Sequence, residues 1–158
     1  MTPAVVAVPR GAVHILLVED RASDALFVLR EFGRQHPHVV VEVCESGLDA
    51  LRRLHEHPPT AAVSLVVLDL RLPGMDGLDV LARMRLEPRL RDIPVAVLTG
   101  SRREEDVVAA YDLGAVCYLC KPELATGYGQ IVEQLGKLCA SVAKTTVVAA
   151  PAVAPADF

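Results

Sequence analysis

Polar residues that are able to do chemistry follow directly after four apolar runs of this chain. Glu19 and Asp20 follow the first of these runs, and Asp69 ends a second one. Thr99 ends a third run, and Lys121 follows a fourth. Carboxylates are ligands for a hard divalent cation, while a hydroxyl and an ammonium are donors for a phosphoryl group. These residues form a candidate site if the fold brings the ends of the four runs together.

The three carboxylates need a positive partner if they share one edge of the fold. Two like charges 4 Å apart cost about 4 kcal/mol at an effective dielectric near 20. Mg²⁺ prefers oxygen ligands, and no cluster of thiolates and imidazoles is present to favour zinc. We expect Asp20 and Asp69 to be side-chain ligands of Mg²⁺, with Glu19 binding directly or through water. The main-chain carbonyl of Arg71 is placed to contribute a further oxygen.

Asp69 has the chemistry of a phosphoryl acceptor in this setting. A carboxylate beside Mg²⁺ and an ammonium is an oxygen nucleophile that can form an aspartyl phosphate. Lys121 and the cation would offset the charge of the phosphoryl oxygens, and the Thr99 hydroxyl would donate to them. The small Gly100 beside Thr99 leaves room for the group. Asp69, Thr99 and Lys121 are therefore the predicted catalytic residues.

Five apolar runs have the length of strands. Most of them are apolar almost throughout, which is typical of strands that are covered on both faces in a parallel sheet. The second run carries Glu42 and fits an edge position. The runs are Val13–Val18, Val39–Cys44, Leu65–Asp69, Ile93–Leu98 and Ala115–Cys120.

Five segments with helical spacing of apolar residues alternate with these runs. They are Ala22–Arg34, Gly47–His57, Asp76–Leu86, Arg102–Leu113 and Leu124–Val142. The alternation predicts a doubly wound α/β fold with a five-stranded parallel sheet in the flavodoxin-like order 2-1-3-4-5. Ligands of such sheets bind at the carboxyl ends of the strands, which is the edge that collects the polar residues described above.

The composition limits the class of protein. The 158 residues suit one domain, with 52% hydrophobic and 23% charged residues. A net charge of -4 argues against binding to nucleic acid or to an anionic membrane surface. No apolar run approaches the ~20 residues of a spanning helix, and no basic region precedes an apolar one at the start. We expect a cytoplasmic protein.

Five short motifs together resemble the receiver domains of bacterial two-component response regulators. They are Val18-Glu19-Asp20, Leu68-Asp69-Leu70, Leu72-Pro73-Gly74-Met75-Asp76-Gly77, Leu98-Thr99-Gly100-Ser101 and Lys121-Pro122. The resemblance covers residues 13–142, between a tail of residues 1–12 and an Ala/Val/Pro-rich tail or dimer arm of residues 143–158. It implies that Asp69 accepts a phosphoryl group from a phosphohistidine of a sensor histidine kinase.

The resemblance also assigns roles to residues around the acceptor. It implies a cis peptide bond before Pro122, and a turn after the third strand that is shaped by Pro73 and by unusual backbone angles at Gly77. It places a switching aromatic at Tyr118, whose ring turns into space that Thr99 vacates on phosphorylation. The alternative is a half-buried tyrosine that only packs on the sheet.

Two further positions bear on the lifetime of the phosphoryl group. Arg71 lies two residues after Asp69, where such receivers often carry asparagine or a similar residue, and Ser101 lies two residues after Thr99. The size and charge of Arg71 would alter the access of water to the aspartyl phosphate. The mixed-sign group 102–106 is predicted to be an exposed helix start.

The predicted function is that of a stand-alone receiver that signals by contact. The stretches 101–111 and 117–119 resemble the small regulators that accompany bacterial phytochrome kinases, so the expected kinase partner is a bacteriophytochrome. We also expect a homodimer through the fourth helix, the fifth strand, the fifth helix and the C-terminal tail.

One alternative function is that of a Mg²⁺-dependent phosphatase of haloacid-dehalogenase type, although Arg71 stands where the second acid of such an enzyme belongs. A flavodoxin-like cofactor carrier is another, although Glu19 and Asp20 would repel a phosphate after the first strand.

Other residues with reactive side chains are given structural roles. Cys117 and Cys120 resemble a redox or zinc pair, but on a strand their side chains face opposite sides of the sheet. The histidine pairs 36/38 and 55/57 are predicted to be solvated ends of helices or turns, because either pair alone supplies too few ligands for a metal.

Overall fold

The computed structural model of the chain describes residues 12–56 and 63–153, with side chains through residue 142. Five strands alternate with five helices, as the sequence predicts. The strands are β1 (His14–Val18), β2 (Val40–Cys44), β3 (Leu65–Leu68), β4 (Val95–Thr99) and β5 (Cys117–Cys120). The helices are α1 (Ala22–Gln35), α2 (Gly47–Glu56), α3 (Gly77–Leu86), α4 (Glu104–Asp112) and α5 (Tyr128–Val153).

All five strands are parallel and lie in the order β2-β1-β3-β4-β5. The predicted flavodoxin-like order is therefore confirmed. Val18 pairs with Leu68, so the last residues of β1 and β3 lie side by side, and Leu68 pairs with Val97 of β4. This register brings the residues that follow β1 and β3 to the same edge of the sheet.

The sheet separates two apolar layers. Side chains of β1 alternate between them: Ile15 packs in the layer that contains Phe32 of α1 and Leu135 of α5. Leu16 packs in the opposite layer, which includes Met84 of α3. Every residue of β1, β3 and β4 is buried, whereas β2 is only half-buried, as expected of an edge strand.

The C-terminal part of the chain differs from the prediction. A short 3₁₀ helix, Ala125–Gly127, precedes α5, so the long helix begins at Tyr128. The backbone of residues 143–153, predicted to be a tail, continues this helix. The predicted domain boundary at residue 142 therefore falls inside α5. The N-terminal tail through residue 11 and residues 154–158 lie outside the described residues.

The turn after β3 contains two glycines with different roles. Gly74, next to Pro73, has a φ of 76°, a conformation that favours glycine. Gly77 does not have a positive φ, so the expectation of unusual angles at this residue was wrong. A Cβ added to Gly77 would instead lie 2.3 Å from the main-chain oxygen of Asp69. Gly77 is needed for a close approach of α3 to the end of β3.

The predicted cis peptide bond before Pro122 was also wrong, because the described peptide bonds are all trans. The trans form of a bond to proline is favoured by ~0.5–1 kcal/mol. In this arrangement Pro122 packs closely on the 3₁₀ helix, since a Cβ added to Gly127 would lie 2.4 Å from the Pro122 Cβ. Lys121 still reaches the carboxyl edge of the sheet.

The cysteine and histidine predictions can also be compared with the structure. The cysteines are free, and Cys117 and Cys120 are half-buried on β5, with Cys117 packed in the layer of α1 and α5. Burial raises the pKa of the Cys117 thiol, which disfavours the reactive thiolate. His38 and His55 are exposed as expected. His36 is instead half-buried against Gly136 of α5, because α1 and α5 pack together. His57 lies outside the described residues.

No helix in the described ranges combines the length and the apolar character that crossing a membrane requires.

Candidate functional site

Three carboxylates gather where β1 and β3 end. Glu19 and Asp20 follow β1, and Asp69 follows β3. One oxygen from each of the three lies within 4.8 Å of the others. Glu19 and Asp69 are each only 3% exposed, while Asp20 is exposed to solvent. The structure thus brings together the three acids that the sequence predicted for one edge.

Main-chain donors orient the two buried acids. The N–H group of Arg21 donates to Glu19 Oε1 at 3.0 Å, and that of Arg71 donates to Asp69 Oδ1 at 3.1 Å. In each case one carboxylate oxygen is held by the loop that follows its own strand. The other oxygen of each group is left to bind a cation or an ammonium. A ligand role for the Arg71 carbonyl oxygen stays a prediction.

The Lys121 ammonium lies among the carboxylates. Its Nζ atom lies 2.8 Å from Glu19 Oε2, from Asp69 Oδ2 and from Asp24 Oδ2. Sequence reasoning missed Asp24, which belongs to the first turn of α1. The available signal was its position four residues after Asp20, one helical turn further along the element that begins at this edge. Lys121 therefore connects β1, α1 and β3 to the end of β5.

Burial and charge shift the pKa values of this group. Burial raises the pKa of Glu19 to about 7, and the Asp69 carboxylate adds to the rise, while the hydrogen bond from Lys121 opposes it. For Lys121, burial acts against the ammonium, but hydrogen bonds to Asp24, Asp69 and Glu19 outweigh this and raise its pKa. Lys121 is thus charged at neutral pH, whereas Glu19 titrates near neutral pH.

The residues of this edge fit a hard divalent cation. The Lys121 ammonium contacts three carboxylates, and Asp20 adds a fourth to the group, so the group keeps negative charge when the acids are ionised. Every ligand atom in the group of Glu19, Asp20 and Asp69 is an oxygen, which is the donor set that Mg²⁺ and Mn²⁺ take. The exposed Asp20 leaves this group open to solvent.

The predicted hydroxyl residue lies at the end of the next strand. Thr99 is the last residue of β4 and is fully buried. Its Oγ1 accepts a hydrogen bond of 3.4 Å from the main-chain N–H of Ser101. Because β4 pairs with β3, Thr99 lies on the same edge as Asp69.

A second polar group lies next to the acids. The hydroxyl of Tyr118 donates to the Ser101 main-chain oxygen at 2.9 Å, and the Ser101 hydroxyl donates to Asp106 Oδ2. The same Asp106 oxygen lies 3.7 Å from Arg71 Nη2. Asp106 was predicted to be part of an exposed helix start, but its side chain is only 18% exposed. The sequence carried no sign of this contact, because acids are ordinary in the first turn of a helix.

Taken together, the edge combines an oriented carboxylate, a set of oxygen ligands and an ammonium. Asp69 presents one oxygen to Lys121 while a main-chain N–H holds the other. A nucleophilic carboxylate with positive charge beside it is suited to phosphoryl transfer.

Comparisons with known proteins agree with this chemistry. The family model of the response regulator receiver domain matches residues 15–132. The response regulator Rcp1 of Synechocystis sp. (strain ATCC 27184 / PCC 6803 / Kazusa) is 38% identical over 110 residues, which cover 68% of this chain and 75% of Rcp1.

Two solved structures share the fold and the topology. The phosphorylated cyanobacterial phytochrome response regulator RcpA is 32% identical with a TM-score of 0.74, and the match covers 82% of this chain and 94% of that one. The Mn²⁺-bound form of Rcp1 is 34% identical with a TM-score of 0.71, and the match covers 78% and 91% of the two chains.

Proposed function

Since this chain belongs to the family of response regulator receiver domains, we propose that Asp69 accepts a phosphoryl group from a phosphohistidine of a sensor histidine kinase. The observation that carries the proposal is the position of Asp69 Oδ2, 2.8 Å from the Lys121 ammonium and within the group of acids. Of the three acids that form this group, Asp69 alone follows the central strand β3.

The transfer requires one bond to form and one to break. An Asp69 carboxylate oxygen forms the new bond to phosphorus, and the bond from phosphorus to the histidine nitrogen breaks, leaving its electron pair on the imidazole. Bound Mg²⁺ supplies positive charge for the phosphoryl oxygens. Lys121 adds to this charge, and Thr99 offers a hydroxyl donor. Glu19 and Asp20 would hold the cation together with Asp69.

The switch through Tyr118 is part of this proposal. Its hydroxyl contacts the main chain two residues beyond Thr99, so a movement of Thr99 toward a phosphoryl group also moves the acceptor of the tyrosine. Such a paired movement has two discrete arrangements, as a conformational switch requires. The ring packs against the apolar layer of α2 and α3, which supports the competing role in packing as well.

The partners follow from the relatives and from one surface. Rcp1 is a response regulator and RcpA is a phytochrome response regulator, which supports a bacteriophytochrome as the kinase partner of this chain. Apolar side chains are exposed on α4, just before β5 and between β5 and α5: Val108, Tyr111, Val116 and Leu124. These exposed side chains support a homodimer through α4, β5, α5 and the C-terminal tail, in which each copy would bury the same residues. Stand-alone signalling by contact, and a cytoplasmic location, are parts of the same proposal.

Phosphorylation by a small donor tests the proposed function. Incubation with acetyl phosphate and Mg²⁺, followed by intact mass measurement, should show the gain of one phosphoryl group. The substitution Asp69→Asn should abolish this gain, whereas Asp112→Asn, at an exposed acid of α4, should leave it intact. A gain that persists in the Asp69→Asn variant would place the acceptor elsewhere.

The phosphatase rival makes a different prediction for the same protein. A phosphatase with an aspartate nucleophile would release phosphate from a phosphomonoester through many turnovers. The geometry does not favour this reaction, because Arg71 stands where such an enzyme places its acid/base carboxylate. Measurement of phosphate release from p-nitrophenyl phosphate distinguishes the two functions, and sustained turnover would favour the rival.

A further inference from the structure

Arg71 and Asp106 form an ion pair between the loop that follows β3 and the first turn of α4. Arg71 Nη2 lies 3.7 Å from Asp106 Oδ2. Arg71 belongs to the loop that follows β3, two residues after Asp69, and Asp106 belongs to the first turn of α4. The pair therefore joins the surroundings of the acceptor carboxylate to the helix that follows β4.

The two partners differ in how firmly they are held. The Asp106 carboxylate is 18% exposed and also accepts a hydrogen bond from the Ser101 hydroxyl, whose residue is buried. The main-chain N–H of Arg71 is bound to Asp69 Oδ1, but the Arg71 side chain is 62% exposed. Asp106 is thus the fixed partner, and the guanidinium is the one able to move.

Open space lies next to the Arg71 side chain. A cleft of about 200 Å³ lies beside the pair and is lined by Leu70, Arg71, Leu72, Asp76, Leu78 and Asp106. The arginine side chain is anchored next to Asp69 and is long enough to reach either Asp106 or an anion carried by Asp69. An aspartyl phosphate would therefore compete with Asp106 for the guanidinium.

We propose that Asp106 is a positioning residue that holds Arg71 away from the phosphoryl group and so shortens the life of the aspartyl phosphate. This inference rests on the proposed function, because it concerns the phosphoryl group on Asp69. The reaction concerned is hydrolysis of the aspartyl phosphate. A water oxygen bonds to phosphorus, the bond from phosphorus to the Asp69 oxygen breaks with its electrons left on the carboxylate, and both water protons leave on dihydrogen phosphate.

The direction of the effect follows from where the water must come from. The attacking water approaches phosphorus opposite the Asp69 oxygen, from the solvent side, in line with the bond that breaks. A guanidinium bound to the phosphoryl oxygens occupies space on that side and stabilises the phosphorylated ground state by charge-assisted hydrogen bonds. Asp106 draws the guanidinium out of this space, so water enters more readily.

The test measures the lifetime of the phosphoryl group directly. The full chain is phosphorylated with acetyl phosphate and Mg²⁺, the donor is removed by rapid desalting, and the phosphorylated fraction is followed by intact mass. Asp106→Asn should lengthen the lifetime by roughly two- to fivefold, the range expected for loss of one largely exposed ion pair. Glu104→Gln is the matched control, since it removes the same charge from the same helical turn at an exposed residue.

The arginine and a conservative variant separate positioning from a general structural effect. In an Arg71→Ala background the substitution Asp106→Asn should have no further effect on the lifetime, because no guanidinium remains to be held. Asp106→Glu keeps the charge and should return the lifetime toward that of the wild type.

The outcomes distinguish this inference from the proposed function. If the wild type is phosphorylated at Asp69 and Asp106→Asn has the same lifetime as Glu104→Gln, the role of Asp106 is refuted while the function stands. A lengthened lifetime that persists in the Arg71→Ala background also refutes it. Absence of phosphorylation in the wild type would overturn both.

Discussion

Lys121 Nζ lies 2.8 Å from Asp24 Oδ2, the same distance that separates it from Asp69 Oδ2. The ammonium is therefore shared between the first turn of α1 and the end of β3. Burial and the Asp24 carboxylate also raise the pKa of Tyr128 to about 12, so that the start of α5 lies within the field of the same acid. Asp24 is a part of the site that connects the Asp69 carboxylate to the α1 and α5 side of the sheet.

We expect Asp24→Asn to weaken the binding of Mg²⁺. Without this carboxylate the ammonium is shared by Glu19 and Asp69 alone, and it competes more strongly with the cation for their oxygens. The dissociation constant of Mg²⁺, measured by isothermal titration calorimetry, should rise severalfold. Asp49→Asn is the matched control, because Asp49 takes the third position of α2 as Asp24 does in α1, but is exposed and is not among the carboxylates that contact Lys121. An unchanged constant for Asp24→Asn would show that the shared ammonium does not limit the cation.

Mg²⁺ should stabilise the folded chain by an amount that grows with the logarithm of its concentration above the dissociation constant. A ligand that binds only the native state adds about 2.7 kcal/mol to the free energy of unfolding at one hundred times its dissociation constant. Thermal denaturation should show a rise in Tm with Mg²⁺, and Asp20→Asn should remove most of it because Asp20 is the solvent-facing acid of the group. A full rise in the Asp20→Asn variant would exclude this acid as a ligand.

Gly77→Ala should destabilise the protein by about 1–3 kcal/mol, the usual cost of forcing extra atoms into a packed region. The added Cβ would meet main-chain atoms of Asp69 and Leu70, the nearest at 2.3 Å, and neither can move without disturbing the end of β3. Urea denaturation measures the effect. Gly33→Ala supplies a control in α1, where nothing lies within 4 Å and the better helix propensity of alanine should stabilise by about 0.5–1 kcal/mol.

Much of the site was predictable because polar residues that directly follow buried parallel strands lie at the carboxyl edge of the sheet. Glu19 and Asp69 interrupt apolar runs, and the parallel alternation of strands and helices brings those interruptions to one edge. The order of the five strands followed from the same alternation and from Glu42 on the edge strand. The position of the site and the strand order can therefore both be predicted from the order of residue types along the chain.

The residues that sequence reasoning missed are ordinary in their local context. Asp24 and Asp106 each lie in the first turn of a helix, where acids are common because they offset the helix dipole. Only the packing of α1 on the sheet brings Asp24 to Lys121, and only the packing of α4 brings Asp106 to Arg71. The role of Gly77 was missed in a similar way, since a close approach of two main-chain segments leaves no trace in residue type beyond the glycine itself.

The pH dependence of stability should carry a contribution from His14 at the start of β1. Burial lowers its pKa from the ordinary value of 6.5; Glu42, whose Oε2 is 3.9 Å from His14 Nε2, opposes the shift, and Arg53 adds to it. Above pH 6.5 the histidine is neutral in both the folded and the unfolded state, so it adds no pH dependence to the free energy of unfolding. As the pH falls through 6.5, the unfolded chain takes up a proton that the folded chain does not, so the free energy of unfolding decreases until the lowered pKa is reached.

The measurement compares urea denaturation of the wild type and of His14→Gln from pH 8 to pH 5.5. Glu19, whose raised pKa acts in the opposite direction, is present in both proteins and cancels in the difference. The difference should change by at most about 1.4 kcal/mol per pH unit, the slope of one proton, with the wild type losing more stability at acid pH. His38→Gln, at an exposed residue, should follow the wild type. Parallel curves for the wild type and His14→Gln would show that His14 takes up its proton equally in both states.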